Sequence, residues 1–72
     1  MNTFGERLKS VRESRELTKK QLAEALKVTE RNYYRYEVNE STPTFERFLA
    51  MIKYLDTSAD YLLGLSDSPK RK

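Results

Sequence analysis

An all-α fold of five short helices is predicted for this 72-residue chain by three features. Hydroxyl residues stand at cap positions directly before helical stretches, at Thr18, Thr29, Thr44 and Ser58. Apolar residues between the caps recur at the three-and-four spacing of a helix with one buried face. Two of the caps, Thr18 and Thr29, are so close that their helices must be joined by a tight turn. A chain of this length forms one domain and buries only about 60% of the surface its unfolded form exposes, so its core is small.

The first helix is expected over residues 4 to 15. Phe4, Leu8 and Val11 form its apolar stripe, with Glu6, Arg7, Lys9, Glu13 and Arg15 around them. Arg12 lies beside that stripe, where an unpaired cation would be costly. The second helix opens at Thr18, whose spacing from Gln21 is that of a capping box, and Leu17 and Leu22 are placed to close as a hydrophobic staple. Leu22, Ala23 and Leu26 form its apolar face. The third helix begins about three residues later, with Thr29 as cap, Val28 before it and Tyr33 at the staple position. So short a link favours a crossing of roughly 90–120°, the helix-turn-helix geometry.

After Glu37 the stretch 38 to 43 has no periodicity and reads as a loop. Asn39 tolerates the left-handed conformation that ends helices, and Pro43 keeps Thr42 out of the helical region. Thr44 caps a fourth helix with Phe45, Phe48, Leu49, Ile52 and Leu55 as its core-facing stripe and Glu46 and Arg47 toward solvent. Ser58 caps a last helix over residues 59 to 65, in which Tyr61, Leu62, Leu63 and Leu65 exceed what one core face can hide. Residues 1–65 are therefore read as the folded domain and residues 66–72, with one proline and three cations, as a disordered basic tail.

Composition excludes several functions. With neither cysteine nor histidine, the usual zinc sets and every histidine-based acid, base or nucleophile arrangement are absent, so no metal, no cofactor and no enzymatic activity are expected. The longest apolar run, residues 48 to 52, is far short of the about 20 residues that span a bilayer, and no signal peptide precedes it. A soluble, cytoplasmic protein with no membrane partner is expected. The net charge of +3 is unevenly spread. Residues 18 to 36 carry Lys19, Lys20, Lys27, Arg31 and Arg35 against Glu24 and Glu30, a net +3, whereas residues 37 to 65 carry a net −3. Such polarity steers a polyanion toward one face.

The third helix separates two faces: Tyr33, Tyr36 and Glu37 point one way, and Glu30, Arg31, Tyr34 and Arg35 the other. The second face is polar, long-armed and mostly cationic, as a helix inserted into a DNA major groove must be to reach base edges between flanking phosphates. Arg31 can donate twice to guanine O6 and N7, and Glu30 can accept from the N4 amino group of cytosine. Two capped amphipathic helices of some other small all-α domain would show the same pattern. On the pattern alone the two readings stand even.

Five fragments occur in order and at compatible separations: RLKSVRE at 7 to 13, LTKKQLAEAL at 17 to 26, T-x3-YYRYE at 29 to 37, Pro43, and SADYLLG at 58 to 64. Together they resemble the phage-repressor and Cro-like helix-turn-helix family, the xenobiotic-response-element type of transcriptional regulator, over residues 4 to 64. The resemblance implies a compact five-helix lambda-repressor-like DNA-binding domain with the helix-turn-helix at its second and third helices. It implies sequence-specific binding of double-stranded DNA by a repressor-like regulator, with Lys19 and Arg35 on phosphates, Glu30, Arg31 and Tyr34 facing the groove and Asn32 at its edge. It also pairs Arg12 with Glu37. A homodimer on DNA is expected, built on Leu62, Leu63 and Leu65. The rival function is an antitoxin-like or other protein-binding module that uses the apolar last helix.

The chain departs from the family in four places. Lys27 stands in the turn where glycine is usual, at a cost on the order of 1 kcal/mol if its backbone is left-handed. Tyr33 replaces a small aliphatic residue. Val38, Asn39 and Glu40 replace the usual glycine and cation after Glu37, and Glu30 places an acid on the first turn of the reading helix.

Overall fold

The computed structural model describes residues 3–67. Helices α1 (Phe4–Ser14), α2 (Lys19–Leu26), α3 (Glu30–Glu37), α4 (Phe45–Leu55) and α5 (Ala59–Leu62) follow one another along the chain. Each starts at a hydroxyl cap. Thr18 accepts from the Gln21 N–H at 3.0 Å while its own N–H donates to Gln21 Oε1 at 2.8 Å. Thr3 and Glu6 form the same reciprocal box in front of α1, and Thr29, Thr44 and Ser58 each accept from the third helical N–H.

The helix ends are just as regular. Glu16, Lys27, Asn39 and Asp56, one in each of the four connections, have left-handed backbones, with φ between 51° and 64°. The turn residue Lys27 therefore carries the side-chain penalty that glycine would avoid. Only the turn after α5 uses glycine, Gly64, at φ 83°.

Packing builds the core where α1, α2 and α3 meet, with α4 against α2 and α5 against α1. Leu8, Leu22, Tyr33, Met51, Leu55 and Leu62 are wholly or almost wholly removed from solvent. Burying such side chains stabilises a fold by roughly 1.5–3 kcal/mol each. Tyr33 fills the space between α3 and its support, edge-on to Tyr36 with ring centroids 6.2 Å apart.

Three sequence expectations change. The buried stripe of α4 runs through Phe48, Met51, Ile52 and Leu55; Phe45 and Leu49 lie on its flank, and Phe45 is 73% exposed. Helix α5 stops at Leu62 and not at 65, because Gly64 turns the chain and its N–H returns to Tyr61 O at 3.1 Å. Leu62 is consequently a core residue with no exposed surface to offer a partner, and only Leu63 and Leu65 of the expected dimer set are exposed, at 56% and 74%. The tail expected at 66–72 lies outside the described residues from 68 onward.

Candidate nucleic-acid interface

The orientation of α3 is fixed by a buried polar cluster. Arg12 Nε donates to Glu37 Oε2 at 2.6 Å, and its Nη2 reaches Oε1 at 3.4 Å. Arg12 Nη1 donates to Leu17 O at 2.7 Å, so one guanidinium ties α1 to the entry of α2 and the end of α3. The Tyr33 hydroxyl donates to Glu37 Oε2 from within α3. Burial alone would lower the Arg12 pKa, but its hydrogen bond and charge interaction with Glu37 outweigh this and hold it above the usual arginine value. Burial, reinforced by the bond to Glu37, pushes Tyr33 well above the normal tyrosine range. The fold therefore keeps Tyr33 protonated where the unfolded chain would ionise it. Its contribution is complete below the unfolded value near pH 10 and is lost as pH rises beyond it. Denaturant titrations between pH 8 and 11 should show stability falling at the alkaline end, with a shallower fall in Tyr33→Phe.

Two other arginines, Arg7 in α1 and Arg15 at its C-terminal cap, are also committed to structure. Arg15 donates from Nε to Leu55 O at 2.8 Å and from Nη2 to Asp56 O at 3.1 Å, closing the carbonyl end of α4. Arg7 lies over the Tyr61 ring at 4.9 Å and donates to Tyr61 O and Ser66 O. Among the described residues, Lys20, Lys27, Arg31 and Arg35 form no ion pair, and Lys19 meets only an aromatic ring.

Their arrangement follows from two helix starts. Thr18 and Thr29 open α2 and α3, which places Lys19 on the first turn of α2 and Glu30, Arg31 and Asn32 on the first turn of α3. All of Glu30, Arg31, Asn32, Tyr34 and Arg35 are exposed, while Tyr33, Tyr36 and Glu37 hold the opposite face in the core. Residues four apart stack along a helix, so the exposed face carries two rows, Glu30 with Tyr34 and Arg31 with Arg35. Lys19 Nζ sits 5.8 Å from the centroid of the Tyr34 ring, bringing the α2 cation onto the first row. Lys19 and Tyr34 thus join α2 to the exposed face of α3, and Asn32 is exposed on the first turn of that helix. Among the described residues no cluster of His, Cys, Asp and Glu could hold a metal ion, and no helix is long and apolar enough to cross a membrane.

Asn39 is a clasp that its sequence context does not reveal. Its Oδ1 accepts from the Gly5 N–H at 3.0 Å and its Nδ2 donates to Thr3 Oγ1 at 2.8 Å, fastening the start of α1 to the loop that leaves α3. The turn chemistry of asparagine was legible; its partner 34 positions away was not.

A family model described as helix-turn-helix matches residues 8–62. The chain belongs to the helix-turn-helix family. An uncharacterised helix-turn-helix-type transcriptional regulator of Bacillus subtilis, YobD, is 34% identical over 69 residues, covering 96% of this chain and 62% of that protein. The regulator ImmR of the same organism is 32% identical, covering 96% and 54%. This helix-turn-helix chain therefore spans roughly half to three-fifths of the length of such relatives. Among solved structures, the P22 c2 repressor in complex with a synthetic operator superposes with a TM-score of 0.84 at 29% identity, covering 92% of this chain and all of that one. The solution structure of the DNA-binding domain of the same repressor gives 0.80 at 32%, covering 94% and 95%. The five-helix repressor-like fold expected from the sequence is the one found.

Proposed function

We propose that the chain binds double-stranded DNA with sequence preference and serves as the DNA-reading part of a repressor-like transcriptional regulator, without enzymatic activity of its own. The observation that carries this reading is the exposed face of α3, where two arginines, an acid, an amide and a tyrosine stand together while the opposite face is locked into the core by Arg12 and Glu37. The likeness to a repressor bound to its operator supports it. Arg31, Glu30 and Tyr34 face the groove, Asn32 lies at its edge, and Lys19 and Arg35 meet phosphates. Selection of bound fragments from a random duplex library tests the reading directly; recovery of no enriched motif, with no salt-dependent binding to any duplex, would overturn it in favour of a protein-binding module.

Individual residues then separate by role. Arg31→Ala should lose about 1–3 kcal/mol on the preferred site and relax preference at one position. Lys19→Ala should weaken binding to every duplex and lower the salt slope by about one unit, since one fewer counterion is released. Equal losses on all duplexes for Arg31→Ala would reassign it as a backbone anchor.

The molecule acts on DNA as a two-fold dimer. One reading helix covers few base pairs, and half-sites about 34 Å apart are the usual remedy. The supporting observation is an apolar groove of about 370 Å³ between the start of α1, the start of α4 and the turn after α5, lined by Phe4, Pro43, Phe45, Phe48 and Leu63. The exposed Phe45, Leu63 and Leu65 replace the buried Leu62 as the contact surface. Sedimentation should detect a dimer on operator DNA that Phe45→Glu disrupts. A monomer bound as one copy per site would refute it.

A further inference from the structure

We infer that Tyr34 is a positioning residue for Lys19, a cation platform on the reading helix and not a reader of bases in its own right; this rests on the DNA-binding role proposed above. Three observations meet here. The Lys19 ammonium lies 5.8 Å from the Tyr34 ring centroid, within the range at which a cation is attracted to an aromatic face. Tyr34 is half exposed, and its ring is not needed to fill the core. Glu30, one turn before Tyr34, forms no ion pair among the described residues, so the nearest acid on the row leaves the ammonium to the ring.

The physical consequence concerns order and charge. A lysine on the first turn of a helix has four rotatable bonds, and fixing it on a phosphate costs side-chain entropy that rises with its freedom in the unbound protein. Holding the ammonium over a ring anchored on α3 removes part of that cost before DNA arrives. It also couples α2 and α3 at the exposed surface, where the core contacts no longer reach. The carboxylate of Glu30 would repel a backbone phosphate approaching the first row, and a cation held on the same row offsets that repulsion. Arg31 and Arg35 on the second row need no such help. The tyrosine therefore acts on binding through the lysine, and its effect is shared by all duplexes.

Two measurements test this on the whole chain. In the free protein, proton NMR should find the Lys19 side-chain methylene resonances shifted upfield by the Tyr34 ring, a shift lost in Tyr34→Leu and restored in Tyr34→Phe. In binding titrations against the selected site and a random duplex, Tyr34→Leu should weaken both by the same two- to fivefold, with the loss shrinking as salt is raised. Tyr34→Phe should restore the affinity, and Lys19→Ala should cost less in the Tyr34→Leu background than in the wild type. Absence of the ring-current shift would overturn the contact. Additive losses from the two substitutions, or a loss in Tyr34→Phe confined to the selected site, would overturn the positioning role while leaving DNA binding intact. Failure of the wild-type chain to bind any duplex would overturn the DNA-binding role and this inference with it.

Discussion

Glu37→Ala is expected to destabilise the domain by about 3–5 kcal/mol. The carboxylate is almost fully buried, and three donors converge on it: Nε and Nη2 of Arg12 and the hydroxyl of Tyr33. Truncation leaves the guanidinium with the part-buried Leu17 O as its remaining hydrogen-bond acceptor and no nearby countercharge except the exposed Glu13 at 4.0 Å. It also strands the phenolic hydroxyl in the core, and a buried polar group without a partner costs about 1–3 kcal/mol on its own. Small domains are stable by only about 5–15 kcal/mol in all, so this one change consumes a large share. Denaturant unfolding of the wild type, Glu37→Ala, Arg12→Met and the double variant checks it. The double variant should be less damaged than the sum of the singles, because it removes the orphaned charge along with its partner. A coupling energy near zero would mean that the pair does not hold α3 in place.

Only half of this cluster is legible in the sequence. Arg12 beside an apolar stripe announces that it needs a partner, and the family resemblance supplies Glu37. Nothing in the spacing says that Tyr33, four residues earlier on the same helix, would give up its hydroxyl to that carboxylate. The larger side chain at position 33 thus adds both volume and a third member to the buried set.

Helix starts were read from caps, and caps are local: Thr18, Thr29, Thr44 and Ser58 each bond to a backbone N–H three residues on. The Thr3 and Glu6 box carries the same signal as Thr18 and Gln21. Faces were harder where a helix is apolar on more than one side. In α4 the residues 45, 48, 49, 51, 52 and 55 are all apolar, and periodicity alone admits stripes that differ by a fraction of a turn. The neighbours decide: α4 packs on α2, and Phe48 lies 6.1 Å from Phe4 across the groove, which draws Phe48, Met51 and Leu55 inward and leaves Phe45 outside. The same logic applies to Leu62, whose fate depends on Gly64 ending α5 two residues later. On the reading helix, by contrast, polarity and periodicity agree, and the two faces of α3 follow directly from the residue order. The Lys19 and Tyr34 contact was invisible because it depends on how α2 and α3 cross.

Gly5→Ala is expected to cost about 3 kcal/mol or more, against the sign that helix propensity suggests. Alanine in a helix interior is favoured over glycine by about 1 kcal/mol, and Gly5 lies on the first turn of α1 with ordinary helical neighbours. From local considerations the substitution should stabilise. What decides otherwise is the distance to α3. A Cβ at position 5 would overlap the carbonyl oxygen of Glu37 and come within 2.6 Å of its carbon and 2.7 Å of Tyr36 O. All three are backbone atoms at the end of a packed helix, so no rotamer change relieves the clash and α1 must move away from α3. That movement pulls on the Asn39 clasp, whose bond to the Gly5 N–H is 3.0 Å long, and on the 2.6 Å contact between Arg12 and Glu37. Overpacking into a well-filled site usually costs about 1–3 kcal/mol, and the loss of alignment in a buried ion pair adds to it. Thermal and urea unfolding of Gly5→Ala should give a lowered midpoint, and Gly5→Ser a similar one, since both introduce the same Cβ. Because the damage falls on the seat of α3, DNA affinity at temperatures below the new midpoint should fall as well, through misplacement of the reading face. An unchanged or raised unfolding midpoint for Gly5→Ala would show that α1 and α3 can separate without loss, and that the close approach at Gly5 does not set the position of the reading helix.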